Sequence, residues 1–167
     1  MDGRELQRAL ELSYRYLNRR ERTAHEVRGH LEAKGIESAL VAEAVGILIE
    51  QGALDEARFA CVFVQDKREL EQWGAERIRQ GLLSRGVDRE LIADALAAVG
   101  GDGEPHDGEL DRALNVLRRR FSMPPRSRLE RDRALGVLIR KGYDPELALD
   151  ALTAYGRDRA YGPRGDN

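Results

Sequence analysis

The residues best equipped for chemistry in this sequence lie in "HEVRGH" (25–30). The stretch resembles the H-E-x-x-H signature of zinc hydrolases. In that signature two histidines four apart share a helical face and hold the metal, while the glutamate serves as base. Here one extra residue separates them. A helix turns about 100° per residue, so His25 and His30 diverge by about 140°. An unbroken helix through both cannot offer them to one ion. His106 stands in a Gly-rich acidic stretch and is expected to be solvated. The single cysteine, Cys61, would need a base and an electropositive pocket to act as a nucleophile. It lies among Ala60, Val62, Phe63 and Val64 and reads as a small core residue. "GGDGE" (100–104) is acidic, the wrong sign for cradling phosphate, and no carboxylate pair falls in an apolar setting. The sequence predicts no catalytic, metal or cofactor site. An interaction module is the expectation.

Charge is the other chemical resource. The chain of 167 residues carries 35% charged side chains and a net charge of −2. Residues 112–141 hold ten basic and two acidic side chains. That segment is either a contact for phosphate or an acidic protein surface, or a solvated helix face. Arg118, Arg119 and Arg120 end one predicted helix; Arg126, Arg128, Arg131 and Arg133 open the next, followed by Arg140 and Lys141. Arg128 and Arg131 lie three apart and share a face. Arg19, Arg20 and Arg22 precede a helix start in the N-terminal part. Arg58 either pairs with Asp55 or Glu56 or points at a partner carboxylate. Arg77 completes the candidate contacts. Trp73 is either a plug between helices or an exposed contact residue.

The elements that position these residues follow from a repeat. "AKGIESALVAEAV" (33–45), "SRGVDRELIADAL" (84–96) and "RKGYDPELALDAL" (140–152) share one cadence. Aligned on Gly35, Gly86 and Gly142, they place Leu31, Leu82 and Leu138 four residues earlier, and Ile36, Val87 and Tyr143 one later. Glycine adopts the left-handed conformation without a Cβ penalty, so each is expected to end a helix. The following apolar residue should fold back onto that leucine. Lys34, Arg85 and Lys141 lie at the negative end of the helix dipole. Asp88 and Asp144 can cap the next helix, with Pro145 at its first position. Glu37 is a poorer cap, and Ser38 is expected to take over. Thr23 and Glu26 form a capping box, and Asp55 caps another helix with Leu54 stapled onto Phe59. A further amphipathic helix precedes each repeat, with Leu6, Leu10, Tyr14 and Leu17 facing inward in the first.

These signals predict an all-α fold: a tandem array of three three-helix modules forming an elongated, curved repeat protein. The expected modules are 1–52, 53–99 and 110–156, with a linker over 100–109 and a disordered tail over 157–167. A lone cysteine fits a reducing compartment. With no signal-like or membrane-spanning run, a cytoplasmic protein without membrane contact is expected, and a monomer.

"LNRRERTAHEVRGHLEAKG", "GALDEARFA" and "WGAERIRQGLLSRGVDRELIADAL" resemble the RecX family of recombinase regulators. The resemblance is carried by Arg19, Arg22, Thr23, Val27, Leu31, Lys34 and Gly35. It continues through Gly52, Leu54, Asp55, Arg58, Phe59 and Ala60, then Gly74, Ile78, Leu82, Gly86, Ile92 and Ala95. "RRRFSMPP" and "RALGVLIRKGYD" resemble the family's looser C-terminal repeat. Val27 stands where leucine is usual. The resemblance implies a non-enzymatic modulator, mainly an inhibitor, of the RecA recombinase. Such a protein lies in the groove of the RecA–DNA filament and limits ATPase, strand exchange and co-protease activities. The alternative is a stand-alone, nonspecific DNA-binding protein taking single- or double-stranded DNA weakly. The acids and alanines expected on the outer faces of 88–98 and 144–153 disfavour groove reading by those helices.

Overall fold

The computed structural model describes residues 3–99 and 105–160, which form nine α-helices and no strand. The helices are α1 (Gly3–Leu17), α2 (Ala24–Ala33), α3 (Ser38–Glu50), α4 (Glu56–Glu69), α5 (Ala75–Ser84), α6 (Arg89–Ala98), α7 (Pro105–Arg120), α8 (Arg128–Lys141) and α9 (Pro145–Ala160). α7 starts at Pro105, whose missing N–H suits a first helical turn. Residues 105–109 of the expected linker are therefore helical, while 100–104 lie outside the described residues. α9 likewise runs on to Ala160, past the expected end at 156; residues 161–167 lie outside the described residues.

The repeated glycines end helices as their spacing predicts. Gly35, Gly86 and Gly142 have φ of +76°, +79° and +91°. In each case two backbone bonds close the helix. The N–H groups of Ile36, Val87 and Tyr143 donate to the carbonyls of Leu31, Leu82 and Leu138, each at 3.1 Å. The glycine N–H groups donate to Glu32, Leu83 and Ile139. These are the paired bonds of the Schellman turn, which satisfy carbonyls a helix end otherwise leaves bare. Gly52, at φ +70°, closes α3 the same way, with Ala53 donating to Leu48. Its place at the end of "ILIEQG" was readable, yet the threefold cadence does not include it.

Helix starts follow side-chain caps. Thr23 and Glu26 form the expected box at α2. Asp55, Asp88 and Asp144 accept from the amides of Arg58, Glu90 and Glu146 at 2.9, 2.8 and 2.9 Å. A second box, Ser127 with Glu130, opens α8; its S-x-x-E pattern was legible but lay inside the arginine cluster. Ser38 does not cap α3. Glu37 holds the cap position in extended conformation without a side-chain bond, and Ser38 is already helical. Burial of Leu40, Val41, Ala44, Val45 and Leu48 holds α3 instead. α1 meets expectation in part: Leu6, Leu10 and Leu17 pack against the core, but the fully buried positions are Ala9 and Ser13, and Tyr14 is exposed and bonds Gln51. Small side chains allow close helix approach, and Ser13 Oγ is satisfied by donating to the Ala9 carbonyl at 2.8 Å.

The chain divides into two compact units. The first joins residues up to 62 with 81–95; the second joins 63–80 with residues from 96 onward. In the first, Val27, Leu31, Val41, Ala44, Val45 and Leu48 form the centre of an apolar core. In the second, Leu117, Leu138, Ala148, Leu152 and Tyr155 do so. The Tyr155 hydroxyl escapes an unsatisfied burial by donating to the Phe121 carbonyl at 2.6 Å.

The glycines separate two costs. An added Cβ at Gly35 meets nothing within 4 Å, whereas at Gly86 it falls 2.4 Å from His25 Cβ and at Gly142 2.3 Å from Arg77 Cβ. Gly35→Ala should therefore lose only the left-handed strain, about 1–2 kcal/mol. Gly86→Ala and Gly142→Ala should lose distinctly more in urea unfolding followed by circular dichroism. Equal losses at all three sites would contradict this assignment.

Candidate partner-binding surface

The arginines are held by helices that meet end to end. In the first unit the C-terminus of α5 abuts the N-terminus of α2. Thr23 Oγ1 accepts from the Glu26 amide within its own box and donates to the Arg85 carbonyl at 2.6 Å. Arg85 returns along the same line: Nε and Nη2 donate to the two oxygens of Glu26, both at 3.0 Å. This fork is only about one-fifth exposed, with side-chain values of 22% and 18%. The guanidinium also lies 4.5 Å over the Phe59 ring. Glu56 of α4 accepts from the Ala24 amide at 3.0 Å. A carboxylate, a hydroxyl and a carbonyl thus meet the positive end of α2.

The second unit repeats this contact with different atoms. The Gly74 amide donates directly to the Lys141 carbonyl at 2.8 Å, and the Glu76 amide to the Gly142 carbonyl at 3.1 Å. Glu109 of α7 accepts from the Ala75 amide at 2.6 Å, as Glu56 does from Ala24. No side chain fits at position 74, because a Cβ there would lie 2.4 Å from the Gly142 oxygen. Glycine is needed here for approach, not for its dihedral angles. The third repeat also clasps the end of α4: Lys141 Nζ donates to the Glu71 carbonyl at 2.6 Å and the Tyr143 hydroxyl to the Gln72 carbonyl at 2.8 Å. Burial pushes the Tyr143 phenol well above its ordinary range. Gln72 itself is left-handed, at φ +55°. Its side-chain amide donates to the Arg68 and Glu69 carbonyls, offsetting strain that a glycine would avoid.

Several candidate cations are engaged within the fold. Arg58 pairs with Glu21 at 3.2 Å rather than with Asp55 or Glu56; Asp55 caps α4 by accepting from the Arg58 amide, and Glu56 accepts from the Ala24 amide. Arg77 donates to the Arg140 carbonyl at 3.0 Å and lies 4.1 Å over Trp73. Trp73 is half-buried, with Lys67 also over its ring and Phe63 at its edge. Arg118 pairs with Asp158 across α7 and α9. Lys141 holds Glu71, as above. Arg22 lies 4.1 Å over the Tyr16 ring, on which His30 also stacks at 4.1 Å. Partial burial, then Lys34, Arg22 and Arg19, hold the His30 imidazole below its ordinary pKa. Arg68, absent from the sequence-based candidates, is buried and donates to the Leu96 carbonyl at the end of α6.

The remaining candidates, Arg19, Arg20, Arg119, Arg128, Arg131 and Arg140, are exposed. Between the end of α7 and the start of α8 lies a groove of about 540 Å³. Arg120, Arg126 and Arg133 line it together with Phe121, Met123, Pro124 and Glu130. Arg128 and Arg131 stand on the first turn of α8. The positive end of a helix dipole disfavours cations there. His25 and His30 do not converge: His25 abuts Gly86, and His30 stacks on Tyr16. Among the described residues no helix is long and apolar enough to cross a membrane.

Fold and surface together define an all-helical repeat protein with an arginine-rich face at the start of α8. Residues 9–46 match the description "RecX, first three-helix domain", and residues 55–96 "RecX, second three-helix domain". The chain is 35% identical to "Regulatory protein RecX" of Halorhodospira halophila, over 93% of this chain and 92% of that one. It is 36% identical to the protein of that name from Xanthomonas axonopodis pv. citri, over 83% and 80%. The crystal structure of RecX from Lactobacillus salivarius superposes with a TM-score of 0.80 at 18% identity, covering 92% and 98%. The chain belongs to the RecX family of regulatory proteins.

The two ion pairs of the first unit should behave differently. Arg85→Ala leaves the Glu26 carboxylate and the Phe59 ring without their guanidinium and should cost about 1.5–3 kcal/mol in urea unfolding. Arg58→Ala breaks a pair that is about half exposed and should cost under about 1 kcal/mol. A reversed ranking would refute the structural weight given to Arg85.

Proposed function

We propose that this protein is a non-enzymatic modulator, mainly an inhibitor, of the RecA recombinase. It binds in the groove of the RecA–DNA filament and limits ATPase, strand exchange and co-protease activities. The observation that carries this reading is the near full-length kinship with proteins named as RecX regulators. The arginine-rich face supports it. A guanidinium presents a planar fork suited to carboxylates of a protein partner. Arg128 and Arg131 sit where the helix dipole opposes them, as expected of residues kept for a partner. The work takes place in the cytoplasm and needs no cofactor.

Recombinase ATPase on single-stranded DNA tests this directly. Substoichiometric protein should depress the rate. Arg128→Glu with Arg131→Glu should raise the half-effective concentration by about tenfold, equivalent to about 1.4 kcal/mol. Acids at a helix start are favourable, so a stable, folded but weak variant would locate the contact. Unchanged ATPase at equimolar wild-type protein would overturn the reading. Steeply salt-dependent binding to DNA without recombinase would favour a DNA-binding protein instead.

A further inference from the structure

The end-to-end contact has two unused copies of its parts. In both internal junctions the donor module supplies three features: a carboxylate on its first helix, a carbonyl beside its terminal glycine, and the glycine itself. Glu56, Arg85 and Gly86 do so in the first unit, and Glu109, Lys141 and Gly142 in the second. The first module carries the same set. Glu5 precedes Gly35 by 30 residues, the spacing that separates Glu56 from Gly86. Glu5, Lys34 and Gly35 are exposed, and a Cβ on Gly35 would enter open space.

The receiving half is also repeated. α8 opens with a Ser127–Glu130 box built as the Thr23–Glu26 box that receives Arg85. Leu129, two residues past the cap as His25 is in α2, is 61% exposed. This large apolar side chain sits where the first internal junction places His25 against Gly86. The charges match as well. Arg126 and Arg133 flank Glu130, whereas Glu32 and Glu37 are exposed beside Gly35.

We propose that the α8 end of one copy receives the Gly35 end of a second copy, continuing the repeat head to tail. Lys34 would meet Glu130, the Ser127 hydroxyl would donate to the Lys34 carbonyl, Glu5 would accept from the Arg128 amide, and Gly35 would cover Leu129. Such a contact is heterologous, so each added copy presents a further free end of each kind. Without a covalent tether it is weaker than the internal junctions and strengthens where copies are concentrated on a common scaffold. The inference stands on the repeat geometry and not on the recombinase reading; it replaces the expected monomer with a concentration-dependent row.

The test is photocrosslinking of the purified full chain, with p-benzoylphenylalanine in place of Leu129. Irradiation at rising concentration should give a covalent dimer whose adduct maps to residues 32–38 of the second copy. Lys34→Glu, at an exposed site, should abolish it, and adding Glu130→Lys to that variant should restore it. Because Glu130→Lys also removes the cap on Ser127, Lys34→Glu decides the matter alone if the double variant loses helicity by circular dichroism. No dimer at millimolar protein, an adduct elsewhere, or a yield indifferent to Lys34→Glu would overturn the proposal.

Discussion

Every helix leaves bare N–H groups at one end and bare carbonyls at the other. This fold depends on letting one module's helix end satisfy another's. α2 and α5 begin against the terminal carbonyls of α5 and α8 respectively, and a glutamate from the donor module's first helix completes each contact. A three-helix unit of about 50 residues buries too little surface to be secure alone. Polar bonds of fixed geometry supply what a thin core does not, and they also fix direction. Only a glycine-terminated end fits the receiving site.

The two junctions reach this result differently. The first keeps a side-chain cap and adds a forked ion pair, Arg85 with Glu26. The second discards the side chain, so that backbone meets backbone at Gly74. The same economy shapes the surface. Arg58, Arg77, Arg85, Arg118 and Lys141 are engaged by carboxylates and carbonyls within the fold. Arg119, Arg128 and Arg131, near the α7–α8 turn, are exposed instead.

Local features were legible in the sequence because their causes are local. A left-handed glycine followed by an apolar residue, or an aspartate one step before a helix, acts within a few residues. Gly35, Gly86, Gly142, Thr23, Asp55 and Asp144 were therefore readable. The failures were graded by distance. Ser38 failed as a cap by one residue, because buried leucines and valines set the start of α3. On α1 the expected face held at Leu6, Leu10 and Leu17 and failed at Tyr14; the most buried positions, Ala9 and Ser13, are small, and periodicity weighs size. The pairing of Arg85 with Glu26 spans 59 residues, and nothing in the spacing announces it. The need for glycine at position 74 arises from Gly142, far away in sequence, so no local pattern shows it. The candidate surface suffered most: net charge identified the 112–141 segment, but only packing separated Arg118 and Lys141, which are engaged, from Arg128 and Arg131, which are exposed.

The amides of Gly74 and Glu76 test the central claim most directly, since they donate to carbonyls of the next repeat, at Lys141 and Gly142. Native-state hydrogen exchange should show them as protected as the Ile78 amide one turn inside α5. Exchange at the rate of a frayed helix start, with Ile78 still protected, would mean that the helix ends do not hold the modules together.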